Sequence, residues 1–116
     1  MPAKRNLDWA CSSNDDIRGF PQEVRSQLAY AFLRAQEGKT HPDAKPLKGF
    51  GGTSVMEVVI DHDGDTFRGV YTTKFTGPVW VLHCFKKKSK KRRATPKSDI
   101  DLIKVRLRDL EQRHKS

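Results

Sequence analysis

The stretch that decides the fold runs from residue 55 to residue 85 and reads VMEVVIDHDGDTFRGVYTTKFTGPVWVLHCF. It holds three β-rich segments, Val55 to Ile60, Phe67 to Phe75 and Val79 to Phe85. Asp63-Gly64 between the first two is typical of a hairpin turn, and Thr76-Gly77-Pro78 separates the second from the third. Because short connections join antiparallel neighbours, the stretch predicts a three-strand antiparallel meander.

Helical patterns flank this meander. Residues 21–38 predict a helix, since Pro21 suits its start and Gly38 its end. A short helix is expected after Ser12 or Ser13, preceded by a short strand from Leu7 to Cys11. The last helix is expected to be capped by Thr95 and opened by Pro96, and its buried stripe is predicted to be Ile100, Ile103, Leu107 and Leu110.

These elements predict an α+β fold. It comprises a small antiparallel sheet (the meander plus the N-terminal strand), two N-terminal helices and one C-terminal helix. We expect the helices on one face of the sheet and the other face partly open. With 116 residues, the chain is expected to form a single domain, 1–116.

The positive charge is concentrated in one segment. The chain has 23 Lys and Arg against 14 Asp and Glu, a net charge of +9. Residues 86–97, KKKSKKRRATPK, hold 8 of the 23 basic residues and no acidic one, which leaves +1 for the rest. A block of this kind favours a polyanionic partner, because each contact with a phosphate releases a counterion.

Several classes of protein are excluded or disfavoured. No apolar run approaches the ~20 residues of a membrane span, and no secretory signal follows the N-terminal charges. The two cysteines, Cys11 and Cys84, are far apart, so a cytoplasmic location is expected. Residues 61–65, DHDGD, resemble the start of a calcium loop, but its twelfth position is Thr72 instead of Glu. The sequence therefore predicts a hairpin turn there, and neither a metal nor a cofactor.

The pattern as a whole resembles the phage-derived HigB-like branch of the RelE/ParE toxin superfamily. The resemblance covers roughly residues 6–112. Its parts are the Q-E-G end of a helix at 36–38, K-P-L-K-G at 45–49, R-x-x-Y at 68–71, L-H-x-F-x-K-K at 82–88 and T-P-x-x-x-I-x-L-x-x-x-R-L at 95–107. Two positions depart from the family. The family often has the motif E-L-R-I where residues 57–60 read EVVI, so Val59 replaces its arginine. Gly69 stands where the family usually has a bulkier residue.

The resemblance implies the toxin of a type II toxin–antitoxin pair. Such toxins are commonly metal-independent, ribosome-dependent mRNA endonucleases that block translation. The implied partners are mRNA on the ribosome and a helix-turn-helix antitoxin, with no membrane and no small-molecule cofactor.

RNA cleavage without a metal needs a base for the 2′-OH, cations for the charged phosphorane and an acid for the leaving oxygen. Arg68 is the first candidate, because a lone arginine within a strand is costly unless its face is open or it is paired. The structural alternative is a cross-strand pair with Glu57. Glu57 is also the default base, although neighbouring cations would weaken it.

His83 is the alternative proton acceptor, since histidine titrates near neutral pH. It shares strand alternation with Val79, Val81 and Phe85, which favours a structural role. Tyr71 is expected in the core, facing away from Arg68. The resemblance favours Lys87 and Lys88 as phosphate ligands; Lys87 is placed with the catalytic candidates. The predicted RNA-binding residues are Lys86, Lys88, Lys90, Lys91, Arg92 and Arg93.

Two other functions remain open. A ParE-like inhibitor of DNA gyrase would have the same fold without enzymatic activity. A nonenzymatic nucleic-acid-binding module would need only the basic segment, and its binding would depend steeply on salt.

Overall fold

A computed structural model describes residues 4–52, 54–87 and 94–114. Along the chain the elements are β1 (Leu7–Trp9), α1 (Ser13–Arg18), α2 (Gln22–Gln36), β2 (Ala44–Pro46), β3 (Val55–His62), β4 (Asp65–Thr72), β5 (Val79–Lys87) and α3 (Lys97–Arg113). The sheet has five strands in the order β1-β5-β4-β3-β2. β1 runs parallel to β5, and the other neighbours are antiparallel.

This architecture confirms the predicted α+β class and is broadly consistent with a RelE-like fold. The predicted hairpin turn is present: Asp63 and Gly64 have φ values of 49° and 83°, the left-handed pair that a two-residue β-turn requires. The second strand of the meander ends at Thr72, earlier than the sequence predicts. β2 was not predicted, because it is short and contains Pro46, which only an edge strand tolerates.

The expected layering is wrong, since helices cover both faces of the sheet. α1 and α2 pack on one face, where α2 buries a stripe of apolar residues, Val24, Leu28, Ala31, Phe32 and Ala35. α3 packs on the opposite face through Ile103, Leu107 and Leu110. The physical reason lies in the strands, because Val55, Val70 and Leu82 point to that second face and also need cover.

Tyr71 lies on the α2 face and is 1% exposed, in edge-to-face contact with Phe32. Its predicted place in the core, facing away from Arg68, is therefore confirmed. Burial raises the pKa of the Tyr71 phenol. Burial also raises the pKa of the Cys84 thiol on the same face to about 12, with a smaller contribution from Asp16.

None of the helices in the described ranges is long and apolar enough to cross a membrane.

Candidate functional site

Strand register brings the candidate residues into two adjacent rows on the α3 face of the sheet. Glu57 pairs with Val70, and Val70 pairs with His83. In the next row Arg68 lies between Val59 and Phe85. Paired residues in a sheet share a face, so these rows place Glu57, Arg68 and His83 beside one another.

A β-bulge explains the position of His83. Tyr71 pairs with Val81, but Val70 pairs with His83, so Leu82 is an extra residue in β5. The bulge shifts the alternation of the strand. His83 and Phe85 therefore lie on the α3 face, whereas Val79 and Val81 pack on the α2 face. The predicted grouping of His83 with both valines is wrong for this reason.

Glu57 and Arg68 form a buried ion pair, and Thr95, which precedes α3, forms hydrogen bonds with both of them. Arg68 Nη1 lies 3.3 and 3.4 Å from the two carboxylate oxygens of Glu57 and donates to Thr95 Oγ1 at 3.0 Å. Thr95 in turn donates to Glu57 Oε2 at 2.6 Å. The side chains of Arg68 and Glu57 are 3% and 12% exposed. The structural alternative for Arg68, a pair with Glu57, is therefore present.

The role of Thr95 differs from the expected one. α3 is preceded by Pro96, and no side chain forms a capping hydrogen bond there. The Thr95 hydroxyl bonds to Glu57 instead, 38 residues earlier in the chain. The sequence-based assignment of Thr95 as a helix cap is therefore wrong.

His83 binds two residues of α3. Its Nε2 lies 2.8 Å from Asp99 Oδ1, and its Nδ1 lies 3.5 Å from Arg106 Nη1. Arg106 is held by Leu82, whose carbonyl accepts at 2.7 Å, and by Ser12, whose hydroxyl accepts at 3.1 Å. Phe85 stacks on the imidazole at 4.7 Å between ring centroids.

The two partners suit a hydrogen bond at each ring nitrogen of His83. A guanidinium only donates and can donate to Nδ1, and a carboxylate only accepts and can accept from Nε2–H. Both ring nitrogens are thus engaged by α3, and the ring is 9% exposed. This arrangement favours a structural role for His83, as the sequence does, but the reason is its contacts with α3 and not the alternation with Val79 and Val81.

The two lysines described at the end of β5 point to opposite faces. Lys86 Nζ lies 3.2 Å from an oxygen of Asp65 and 5.9 Å from the centre of the Phe67 ring. Lys87 Nζ donates to the Ala94 carbonyl at 3.4 Å, beside the segment that carries Thr95. The other predicted RNA-binding residues lie outside the described residues: Lys88, Lys90, Lys91, Arg92 and Arg93.

Sequence reasoning missed three participants in this cluster: Thr95, Asp99 and Arg106. A signal for Arg106 exists, because it lies seven residues after Asp99 and next to Leu107, on the buried side of α3. A charged residue within a buried helical stripe indicates a polar partner on the facing strand.

No group of three or more His, Cys, Asp and Glu residues within the described parts of the chain could hold a metal ion. The Glu57 carboxylate and the Arg68 guanidinium are in direct contact, and the Lys87 ammonium bonds to the Ala94 carbonyl, next to Thr95. Such a set can accept a proton and stabilise a phosphate, which is acid–base and electrostatic chemistry.

Fold and site together define the class of protein. It is a small α+β protein with a carboxylate–guanidinium pair on a sheet face that a helix covers. A family model described as Phage derived protein Gp49-like (DUF891) matches residues 15–108. The chain belongs to this family, which is associated with toxin–antitoxin toxins of the RelE/HigB type. No curated protein and no solved structure matches the chain.

Proposed function

We propose that the chain is the toxin of a type II toxin–antitoxin pair and cleaves mRNA on the ribosome without a metal. Membership of the Gp49-like family supports the toxin assignment. The observation that carries the proposal is the Glu57–Arg68 pair, in which Arg68 lies on the strand next to the one that carries Lys87. The proposed partners are mRNA and a helix-turn-helix antitoxin.

Each group has a role in this chemistry. Glu57 accepts the proton of the 2′-OH. The 2′ oxygen forms a bond to phosphorus, and the bond from phosphorus to O5′ breaks. Arg68 stabilises the charged phosphorane, and the Lys87 ammonium gives a proton to the leaving O5′. The products are a 2′,3′-cyclic phosphate and a 5′-hydroxyl, and DNA is resistant because it lacks the 2′-OH.

The geometry adds one condition to this proposal. Arg68 is 2% exposed, and Thr95 bonds to both members of the ion pair. A phosphate can reach the guanidinium only if residues 94–96 move away from the sheet. His83 is the less suitable base, because Asp99 and Arg106 engage both of its ring nitrogens.

The test uses a translating extract and one defined mRNA. Wild type, Glu57→Gln and Arg68→Lys are added in parallel, and new RNA ends are mapped by primer extension with and without ribosomes. Arg18→Lys is the matched control, because that arginine is exposed and its weak ion pair lies on α1.

We expect new ends with wild type and Arg18→Lys, on translated message only. The rate should fall by about 100-fold or more in Glu57→Gln, since general-base catalysis typically contributes 10²–10⁴. Undiminished cleavage by folded Glu57→Gln would remove Glu57 from the mechanism.

A gyrase inhibitor with this fold is the second candidate. The burial of the Glu57–Arg68 pair favours it, because a binding protein needs that pair only for structure. Growth arrest with a DNA-damage response and without new mRNA ends would support this function against the nuclease. Salt-dependent RNA binding without cleavage would instead support a nonenzymatic binding module.

A further inference from the structure

A second group of cations lies on the α3 side of the molecule, apart from the basic segment 86–97. We call it the basic surface and define it by two arms. The strand arm is Lys45 and Lys48, and the helix arm is Lys104 and Arg108; all four side chains are exposed.

Strand register fixes the first arm. Lys45 on β2 pairs directly with Glu57 on β3, so its side chain lies on the same face as the candidate site. Lys48 follows within a loop whose start is anchored, because Leu47 is buried and its backbone N–H donates to the Val55 carbonyl at 3.0 Å. The strand arm therefore borders the candidate site at the β2 edge.

Helix geometry fixes the second arm. Lys104 Nζ lies 5.9 Å from the centre of the Phe50 ring, which places this side of α3 against the loop that carries Lys48. Arg108 lies four residues later and therefore on the same stripe. Asp101, three residues before Lys104, contributes one carboxylate to that stripe.

The cations of the basic surface are available for a ligand. Within residues 4–52, 54–87 and 94–114, none of the four forms an ion pair. Two other lysines do form ion pairs, since Lys74 binds Glu111 and Lys86 binds Asp65. A cluster of exposed cations that outnumbers the carboxylates beside it attracts a polyanion.

The loop between the two arms leaves its backbone accessible. Gly49, Gly51 and Gly52 have φ values of 97°, 64° and 111°, and no neighbouring atom lies within 4 Å of a Cβ built at any of them. The main chain at these positions can come close to a ligand without obstruction by side chains. Phe50, half-buried against α3, holds the loop in place.

We propose that this basic surface binds the sugar–phosphate backbone of the RNA whose cleavage is proposed above, so the inference rests on that function. Lys45 and Glu57 are cross-strand neighbours, and a strand of RNA bound there passes directly to the candidate site. The surface would bind the message on the β2 side of the scissile bond.

The test measures binding alone, with a fluorescent single-stranded oligouridine and anisotropy at several salt concentrations. The test variant is Lys48→Gln with Lys104→Gln, one cation from each arm. The control variant is Arg25→Gln with Lys39→Gln, which removes the same charge from the α2 side. Thermal denaturation checks that both variants fold. If the test pair does not fold, Lys45→Gln with Arg108→Gln replaces it.

Loss of two phosphate contacts should reduce the slope of log affinity against log salt by about 1.4, at about 0.7 per contact for a single strand. The control should keep the wild-type slope. Equal slopes for the test and control variants would overturn the proposal. A polyglutamate peptide that competes as well as RNA of the same charge would also overturn it, because the surface would then bind polyanions in general.

This experiment separates the two proposals. A basic surface that binds RNA in a chain that cleaves none would leave the inference standing and contradict the nuclease. If the wild type cleaves mRNA but the test variant binds RNA as tightly as the wild type, the nuclease proposal would stand and the inference about the basic surface would be overturned.

Discussion

Buried charge is the main energetic feature at the scale of single residues. Glu57 and Arg68 are diagonal neighbours on adjacent strands, and Thr95 accepts from one and donates to the other. A buried ion pair adds little net stability, but removal of one partner is costly because a charge stays in a dry site. The pair could be anticipated from the strands. Thr95 could not, because its contact depends on how α3 approaches the sheet.

A double-mutant cycle should show this coupling. Arg68→Met is expected to lower the free energy of unfolding by about 3 kcal/mol, because the carboxylate of Glu57 then lacks its cation. Glu57→Leu combined with Arg68→Met should recover most of that loss. Urea denaturation of the wild type, Glu57→Leu, Arg68→Met and the double variant completes the cycle. A cost below about 1 kcal/mol for Arg68→Met alone would contradict the buried pair.

Cys84 should make stability depend on alkaline pH. Its folded pKa is about 12, against 9.0 for an ordinary thiol, so above pH 9 the unfolded chain binds fewer protons than the folded one. The free energy of unfolding should therefore fall as pH rises from about 9, by up to about 1.4 kcal/mol per pH unit from this group. Urea titrations at several pH values test this. Cys84→Ala should flatten the decline relative to Cys11→Ala, whose thiol is exposed.

At the scale of elements, the sheet and α2 lie close together at Gly69. A Cβ built there would lie 3.0 Å from Phe32 Cζ and 3.1 Å from Leu28 Cδ2. The glycine that departs from the family pattern thus allows close packing of α2. The stripe of α2 and the β3–β4 hairpin could be predicted from local patterns. The layering could not, because short strands with apolar residues on both faces do not reveal which helix covers which face.

Gly69→Ala should be destabilising, by about 1–3 kcal/mol, because two core side chains must move. Gly19→Ala is the matched control, since its nearest contact would be an ordinary 3.6 Å and its φ is −80°. Thermal and urea denaturation compare the two. A Gly69→Ala variant as stable as the Gly19→Ala variant would mean that α2 adjusts freely.

At the scale of the whole molecule, the N-terminal segment joins parts of the chain that are distant in sequence. The Arg5 guanidinium donates to the carbonyls of Gly77, Thr73, Pro78 and Phe75 in the connection between β4 and β5. The Arg5 backbone also exchanges hydrogen bonds with Gln36 at the end of α2. None of this could be deduced from the sequence, in which Arg5 is one charge near a terminus.

Arg5→Lys tests this connection. A lysine keeps the charge but cannot reach four carbonyls with a planar fork. We expect a loss of about 2 kcal/mol, the typical size of a charged hydrogen bond, with an unchanged denaturant m-value. Arg18→Lys, on the exposed side of α1, should change the midpoint little. An unchanged midpoint for Arg5→Lys would contradict a stabilising role.

The parallel pairing of β1 with β5 has a consequence for folding during translation. Leu7 in β1 pairs with Val79 in β5. At a translation rate of roughly 5–20 residues per second, β1 is synthesised about 4–14 seconds before its partner strand. Thr95 and α3 follow later still. A nascent chain that stops short of β5 and α3 lacks both the complete five-strand sheet and the contacts around Arg68, so neither forms until these later elements have been made.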